Sequence, residues 1–160
     1  AQDAVATPRP TATPASAPVK TSAPSTGDDY TTPSSQVQEE ILLNLLNQER
    51  IAQGLSPLTL DAELSRIARI KSADMRDNHY FAHESPTYGH VSDMLKTFGY
   101  SFSGAGENIA HHATTEKAHA AFMSSEGHRR NILSSAWQKV GLGIVYDANG
   151  YVYVTEIFVR

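Results

Sequence analysis

The chain has 160 residues, with 13 Lys+Arg against 17 Asp+Glu and a formal net charge of −4, a length that suggests one domain. That balance excludes a broad electrostatic grip on nucleic acid, which needs clustered basic side chains. Cysteine is absent, which excludes disulfides, thiolate metal sites and a Cys nucleophile, and no apolar run approaches the ~18 residues of a membrane-spanning helix.

Residues 1–35 hold six of the eight prolines (Pro8, Pro10, Pro14, Pro18, Pro24, Pro33), and most of the rest is Ala, Thr or Ser. Such a composition cannot bury enough apolar surface to offset the entropy of ordering it, so it predicts a disordered, semi-extended spacer. Ala1-Gln2-Asp3-Ala4 resembles an end left by signal-peptide cleavage, a pointer to export. The folded domain is expected over 36–160, long enough to bury roughly 65% of its unfolded surface.

Within it, Ser35 and Gln38 have capping-box spacing. Val37, Ile41, Leu42, Leu45 and Leu46 then recur at helical period, and Gly54 is the stop. Asp61 caps a second predicted helix with Leu64, Ile67, Ala68 and Met75 on one face, ending near Asn78. Pro86 to Gly89 reads as a turn. Val91, Met94, Leu95 and Phe98 give a short third helix up to Gly99. Ser101 to Gly106 is small and turn-prone, with short strands expected to flank it, and Thr114 or Thr115 caps a fourth helix over 116–124. Val140 to Tyr146 and Tyr151 to Val159 are β-branched and aromatic runs around Asp147-Ala148-Asn149-Gly150, a predicted hairpin. Helices first and a hairpin last predict an α+β fold.

All seven histidines, His79, His83, His90, His111, His112, His119 and His128, fall in one 50-residue window. Imidazole is the usual proton shuttle and transition-metal ligand near neutral pH. His79, His90, His111, His112 and His119 each read as surface or capping residues. His79 and His83 are four apart, but no Glu follows His79 as in the zinc-protease HExxH pattern. Two stretches stand out. In Gly104-Ala105-Gly106-Glu107-Asn108-Ile109 a carboxylate follows a glycine turn and is anchored by Ile109, which allows it to point into a cavity. In Gly127-His128-Arg129-Arg130-Asn131-Ile132-Leu133 a glycine permits close backbone approach, and two aliphatic residues pin the segment. There is neither a phosphate-binding loop with its Lys-Ser/Thr pair nor a Gly-x-Ser-x-Gly elbow.

Tyr80-Phe81-Ala82-His83-Glu84-Ser85-Pro86, Gly106-Glu107-Asn108-Ile109, Gly127 to Leu133 and Val140-Gly141-Leu142-Gly143 occur in order. Upstream lie Leu46-Asn47-Gln48-Glu49-Arg50 and Gly54-Leu55-Ser56-Pro57-Leu58. Together they resemble a bacterial member of the CAP superfamily, the SCP-like domains related to cysteine-rich secretory proteins, antigen 5 and plant pathogenesis-related proteins. The resemblance covers about residues 37–159. It implies a three-layer α-β-α sandwich on a small antiparallel sheet and a secreted or envelope-associated location. It also implies a cleft bearing two histidines and usually two acids. Carried over by position, these are His83, His128 and Glu107. The second acid is missing: Phe122 stands where relatives have tryptophan, Ser125 falls at the acid's place, and Glu126 is its neighbour. Tyr80, Asn108 and Asn131 are expected as structural supports.

Two arrangements of that cleft are open. Either His83 and His128 ligate zinc or another divalent metal, or His83, His128 and Glu107 hydrogen-bond one another as a fixed polar network, with Glu126 a further candidate for the binding cleft. Both predict facing imidazoles across a solvent-open cleft, with Glu107 within reach of one. The function expected is a monomeric extracellular binding module for a lipid, glycan or protein. The alternative is a metal- or His/Glu-assisted hydrolase of peptide or cell-wall bonds, with Glu107 as general base.

Overall fold

The computed structural model describes residues 5–6 and 30–160. Most of the expected spacer therefore lies outside the described residues. In chain order the elements are β1 (Val5–Ala6), α1 (Pro33–Ala52), β2 (Thr59–Leu60), α2 (Ala62–Asp77) and α3 (Val91–Thr97). They continue with β3 (Ala105–His112), α4 (Thr115–Ser124), α5 (Glu126–Ile132), β4 (Lys139–Tyr146) and β5 (Val152–Val159).

The first helix opens three residues earlier than the Ser35 cap predicts. Thr32 is the cap, its hydroxyl accepting from the Ser35 N–H at 3.0 Å, and Pro33 supplies a fixed φ at the first helical position. Gln38 is left to accept a hydrogen bond from the Thr115 hydroxyl at 2.7 Å, linking α1 to α4. The Asp61 cap of α2 stands as predicted, accepting from the Leu64 N–H at 2.8 Å, and Thr114 caps α4. His79 ends α2 in the left-handed region at φ 54° and is exposed, so it acts as a helix stop.

The sheet runs β1-β3-β5-β4-β2. The three long strands are antiparallel with unbroken register, Asn108 opposite Glu156 and Leu142 opposite the same residue. The two-residue edge strands pair in parallel, β1 at Ala110–His111 and β2 at Lys139–Val140, so the sheet is mixed rather than wholly antiparallel. On one face, α1, α4 and α5 cover Val140, Leu142, Ile144, Val154 and Phe158 with Leu42, Leu46, Ala118, Phe122 and Ile132. On the other, α2 and α3 cover Ile157 and Val159 with Leu64, Ile67, Ala68, Met94 and Leu95. The result is the α-β-α sandwich expected.

α2 lies so close to β4 because of Gly141 and Gly143. A Cβ on either would overlap the α2 backbone, at Leu64 and at Ala68–Arg69 respectively. A helix backbone cannot yield as a side-chain tip can. Gly143→Ala is therefore expected to cost about 1–3 kcal/mol, the range for overpacked cores, as a lower urea midpoint with unchanged m-value. An unchanged midpoint would mean that α2 slides freely on the sheet.

Candidate functional site

The site is built on β3, which patterning read as a turn followed by an anchored carboxylate. Glu107 and Asn108 sit instead inside a regular eight-residue strand. Successive strand residues point to opposite faces, so these two serve different partners. Glu107 meets His83, its Oε1 at 2.9 Å from the ring Nδ1. The Glu107 side chain is 1% exposed and that of His83 is 18% exposed. Asn108 donates through Nδ2 to the backbone carbonyl of His128 and to Glu156 Oε1, both at 3.1 Å. Asn131 donates to Asn108 Oδ1 at 2.9 Å, and its own carbonyl accepts from the Trp137 indole. Thus one strand holds both the His83 ring and the helix that carries His128.

His83 rides on an irregular segment between α2 and α3, and α2 fixes that segment through two buried charges. Lys71, 1% exposed, donates from Nζ to the His83 carbonyl at 2.6 Å and lies 5.4 Å from the Tyr80 ring centroid. Burial pulls its pKa down, while the charges of Glu107 and Asp74 oppose that. Asp74, one turn further along, accepts from Asn78 Nδ2 and the Ser85 hydroxyl, both at 2.6 Å, and from the Tyr80 hydroxyl. Burial, followed by the bond to Asp74, drives the Tyr80 phenol far up, so it remains a donor. Ser85 also accepts from the N–H groups of Thr87 and Tyr88, which closes the turn predicted at 86–89.

His128 is fully buried. Its Nδ1 lies 2.7 Å from Ser125 Oγ, and its ring stacks on Phe122 with centroids 5.3 Å apart. Ser125 joins α4 to α5 in an extended conformation, so the residue at the missing acid's position is the one that meets His128. Glu126 stands on the outer side, 80% exposed and paired with Arg130 at 3.3 Å. His83 is therefore the partly exposed histidine of the two, and the His128 ring lies inside the protein.

The remaining histidines spread over the molecule. His111 pairs with Asp147 at 2.7 Å and stacks on Tyr153, His119 faces Glu49, and His90 starts α3. Among the described residues no three His, Cys, Asp or Glu side chains converge as a metal site. The unspent polarity of the cleft lies at His83 Nε2 and Glu107 Oε2, which are buried without hydrogen-bond partners.

Lys71, Asp74 and Glu156 are the site's neighbours that patterning missed. A signal was present for each. Lys71 and Asp74 occupy the same i, i+3 and i, i+4 registers as Ile67, Ile70 and Ala68, on the apolar face of α2. Glu156 alternates in phase with Val152, Val154 and Phe158, all inward-facing.

A three-layer α-β-α sandwich, with a glutamate on its third strand bonded to a histidine from the α2–α3 segment and a buried histidine on the helix beside it, defines a class of CAP-type domain. The chain belongs to the CAP, cysteine-rich secretory protein family, whose model matches residues 43–158. It is 48% identical over 126 residues to the uncharacterised protein YkwD of Bacillus subtilis, a match covering 78% of this chain and 46% of YkwD. An extracellular SCP-domain protein from Bacillus anthracis is 34% identical with a TM-score of 0.73, covering 81% of this chain and 44% of that one. An outer surface protein of Borrelia burgdorferi shares the fold at 17% identity and a TM-score of 0.72, covering 78% of this chain and 93% of its own. The chain spans less than half the length of the curated relatives it matches.

Proposed function

We propose that the chain is an extracellular CAP-domain binding module whose cleft at His83 and Glu107 takes a polar group of a lipid, glycan or protein ligand. The family and the extracellular relative from Bacillus anthracis support a secreted or cell-envelope location. The observation that carries the binding reading is the half-spent pair. His83 Nδ1 and Glu107 Oε1 satisfy each other, while Nε2 and Oε2 are buried and unbonded. A buried polar atom without a partner is costly, and a ligand offering a hydroxyl or amide would relieve both atoms. Lys71 and Asp74 fix the loop in advance, so little ordering entropy is spent at binding.

The hydrolase alternative asks Glu107 to take a proton from attacking water. Its Oε1 is held by His83 and the side chain is 1% exposed, which gives bulk water little access to it and favours recognition over proton transfer. For zinc, the Glu107–His83 bond orients a ring whose outer nitrogen is unspent, as carboxylates do behind metal-bound histidines. A three-residue ligand set is not assembled among the described residues.

The test is a screen of immobilised glycans, lipids and peptides with wild type, His83→Ala and Glu107→Gln. A ligand held by wild type is expected to lose about tenfold or more of its affinity in both variants, the loss of one charge-assisted hydrogen bond. Equal binding by all three proteins would move recognition elsewhere. Zinc titration of the same proteins separates the two forms of the site. A melting-temperature rise that disappears in His83→Ala makes the metal the first ligand, and no rise leaves direct hydrogen bonding.

A further inference from the structure

A second concavity lies away from the His83 cleft, where the end of α1 meets the segment before β4. It measures about 460 Å³, and its lining includes Arg50, Leu55, Pro57, Leu58, Ser135 and Trp137. That volume is typical of small-ligand pockets, and no acidic residue lines it.

Arg50 is the unusual member. It is 2% exposed, yet its guanidinium meets no carboxylate among the described residues. Nε donates to the Ser56 carbonyl at 2.8 Å, and Nη1 donates to the carbonyls of Ile132 and Ser134 at 2.8 and 2.7 Å. Those bonds tie the α1–β2 loop to the end of α5, which explains an arginine here. They leave Nη2 without a hydrogen bond to any described residue, and carbonyl dipoles solvate a charge without neutralising it. Buried charges are ordinarily paired with an opposite charge.

We propose that this concavity is a binding site for an organic carboxylate, its charge meeting Arg50 and its apolar body lying against Leu55, Leu58 and Trp137. The guanidinium is held rigidly by three carbonyls before any ligand arrives, which is the preorganised geometry that carboxylate recognition favours. Trp137 is itself fixed, stacked on Phe158 with centroids 6.0 Å apart and bonded to the Asn131 carbonyl at 3.0 Å. One wall of the concavity is therefore a rigid aromatic surface.

The chain has a single tryptophan, so the indole N–H resonance of Trp137 reports this site without ambiguity. The full chain is titrated with phenylacetate and with neutral phenylacetamide, which has nearly the same shape. Phenylacetate is expected to shift the Trp137 indole and the amides of Gly54, Leu55, Ser56 and Leu58 saturably. Phenylacetamide is expected to bind about tenfold or more weakly, as the loss of one charge-assisted bond implies. Equal responses to the two probes, or shifts confined to other parts of the chain, would overturn the proposal.

Arg50 also holds two loops, so the variant is Ser135→Glu, which sets a carboxylate at the exposed rim and leaves Arg50 in place. It is expected to weaken phenylacetate by a similar factor at an unchanged melting temperature. Undiminished binding in the folded variant would count against Arg50 as the receptor. N-acetylphenylalanine identifies the natural source. Tighter binding than phenylacetate indicates a peptide C-terminus, weaker binding a free organic acid, and each keeps the carboxylate at Arg50.

Discussion

Replacing Asp74 with alanine is expected to cost about 3 kcal/mol or more, since hydrogen bonds to a charged group contribute roughly 1.5–3 kcal/mol each. The carboxylate takes Asn78, Tyr80, Ser85 and, at 3.4 Å, Thr87. Every one of these donors belongs to the segment that carries His83, whereas Asp74 belongs to the rigid helix beneath. Alanine leaves the Tyr80 and Ser85 hydroxyls buried without their acceptor, and it leaves the Lys71 ammonium with one fewer negative neighbour. The loss should appear as a lower urea midpoint together with faster amide exchange over 79–89, while β4 and β5 keep their protection. Asp74→Asn keeps one acceptor oxygen and should fall between the two. A change below about 1 kcal/mol with unaltered exchange at 79–89 would show that the loop holds itself. Ser85→Ala supplies the control, removing the closure onto Thr87 and Tyr88 without touching the other donors.

The contrast between elements shows why part of this protein was legible in its sequence. α2 announces itself through the helical spacing of Leu64, Ile67, Ala68 and Met75, β4 and β5 through continuous β-branched and aromatic runs that suit strands buried on both faces, and Asp61 and the Asp147–Gly150 loop mark their ends. β3 announces itself less. Glu107 and Asn108 interrupt its buried run from Gly106 to Ala110, and a strand interior accepts such polar residues only when each has a designated partner, here far away in sequence. α5 was missed for a related reason: seven residues with two arginines show no apolar stripe, and the helix exists because Asn108 and Asn131 bind it to β3. Local propensity gives way to tertiary contact in both cases.

The site divides along the same line. His83, Glu107 and His128 were recognisable because the motifs around them are contiguous. That His83 and Glu107 meet at 2.9 Å follows from a 24-residue separation that no local pattern encodes. Ser125 and Glu126 show the limit most directly. They are adjacent in sequence, yet the break between α4 and α5 turns Ser125 inward to His128 and leaves Glu126 paired with Arg130 in solvent. A single peptide's φ and ψ decide which of two neighbours belongs to the cleft.

Glu156→Gln is expected to stabilise the protein at neutral and alkaline pH and to do nothing in acid. Glu156 is fully buried in the central strand. Its Oε1 accepts from Asn108, its Oε2 has no hydrogen-bond partner, and burial pushes its carboxyl up to about 8 from an ordinary value near 4.5. The sign follows from proton counting. Between those two values the folded chain holds a proton that the unfolded chain has released, so each rise in pH favours unfolding, and the decline levels off above about 8. Glutamine has the same shape and can accept from Asn108 through the same oxygen, but it carries no titrating proton. Its NH2 takes the place of an acid hydroxyl that also lacked a partner, so no new unsatisfied group is created. At about 1.4 kcal/mol per pKa unit the gain should reach a few kcal/mol by pH 9 and vanish below pH 4.5. Urea unfolding of both proteins from pH 4 to 9 measures it. Curves that run parallel across the range would show that Glu156 is ionised inside the sheet, and that Asn108 alone compensates the charge.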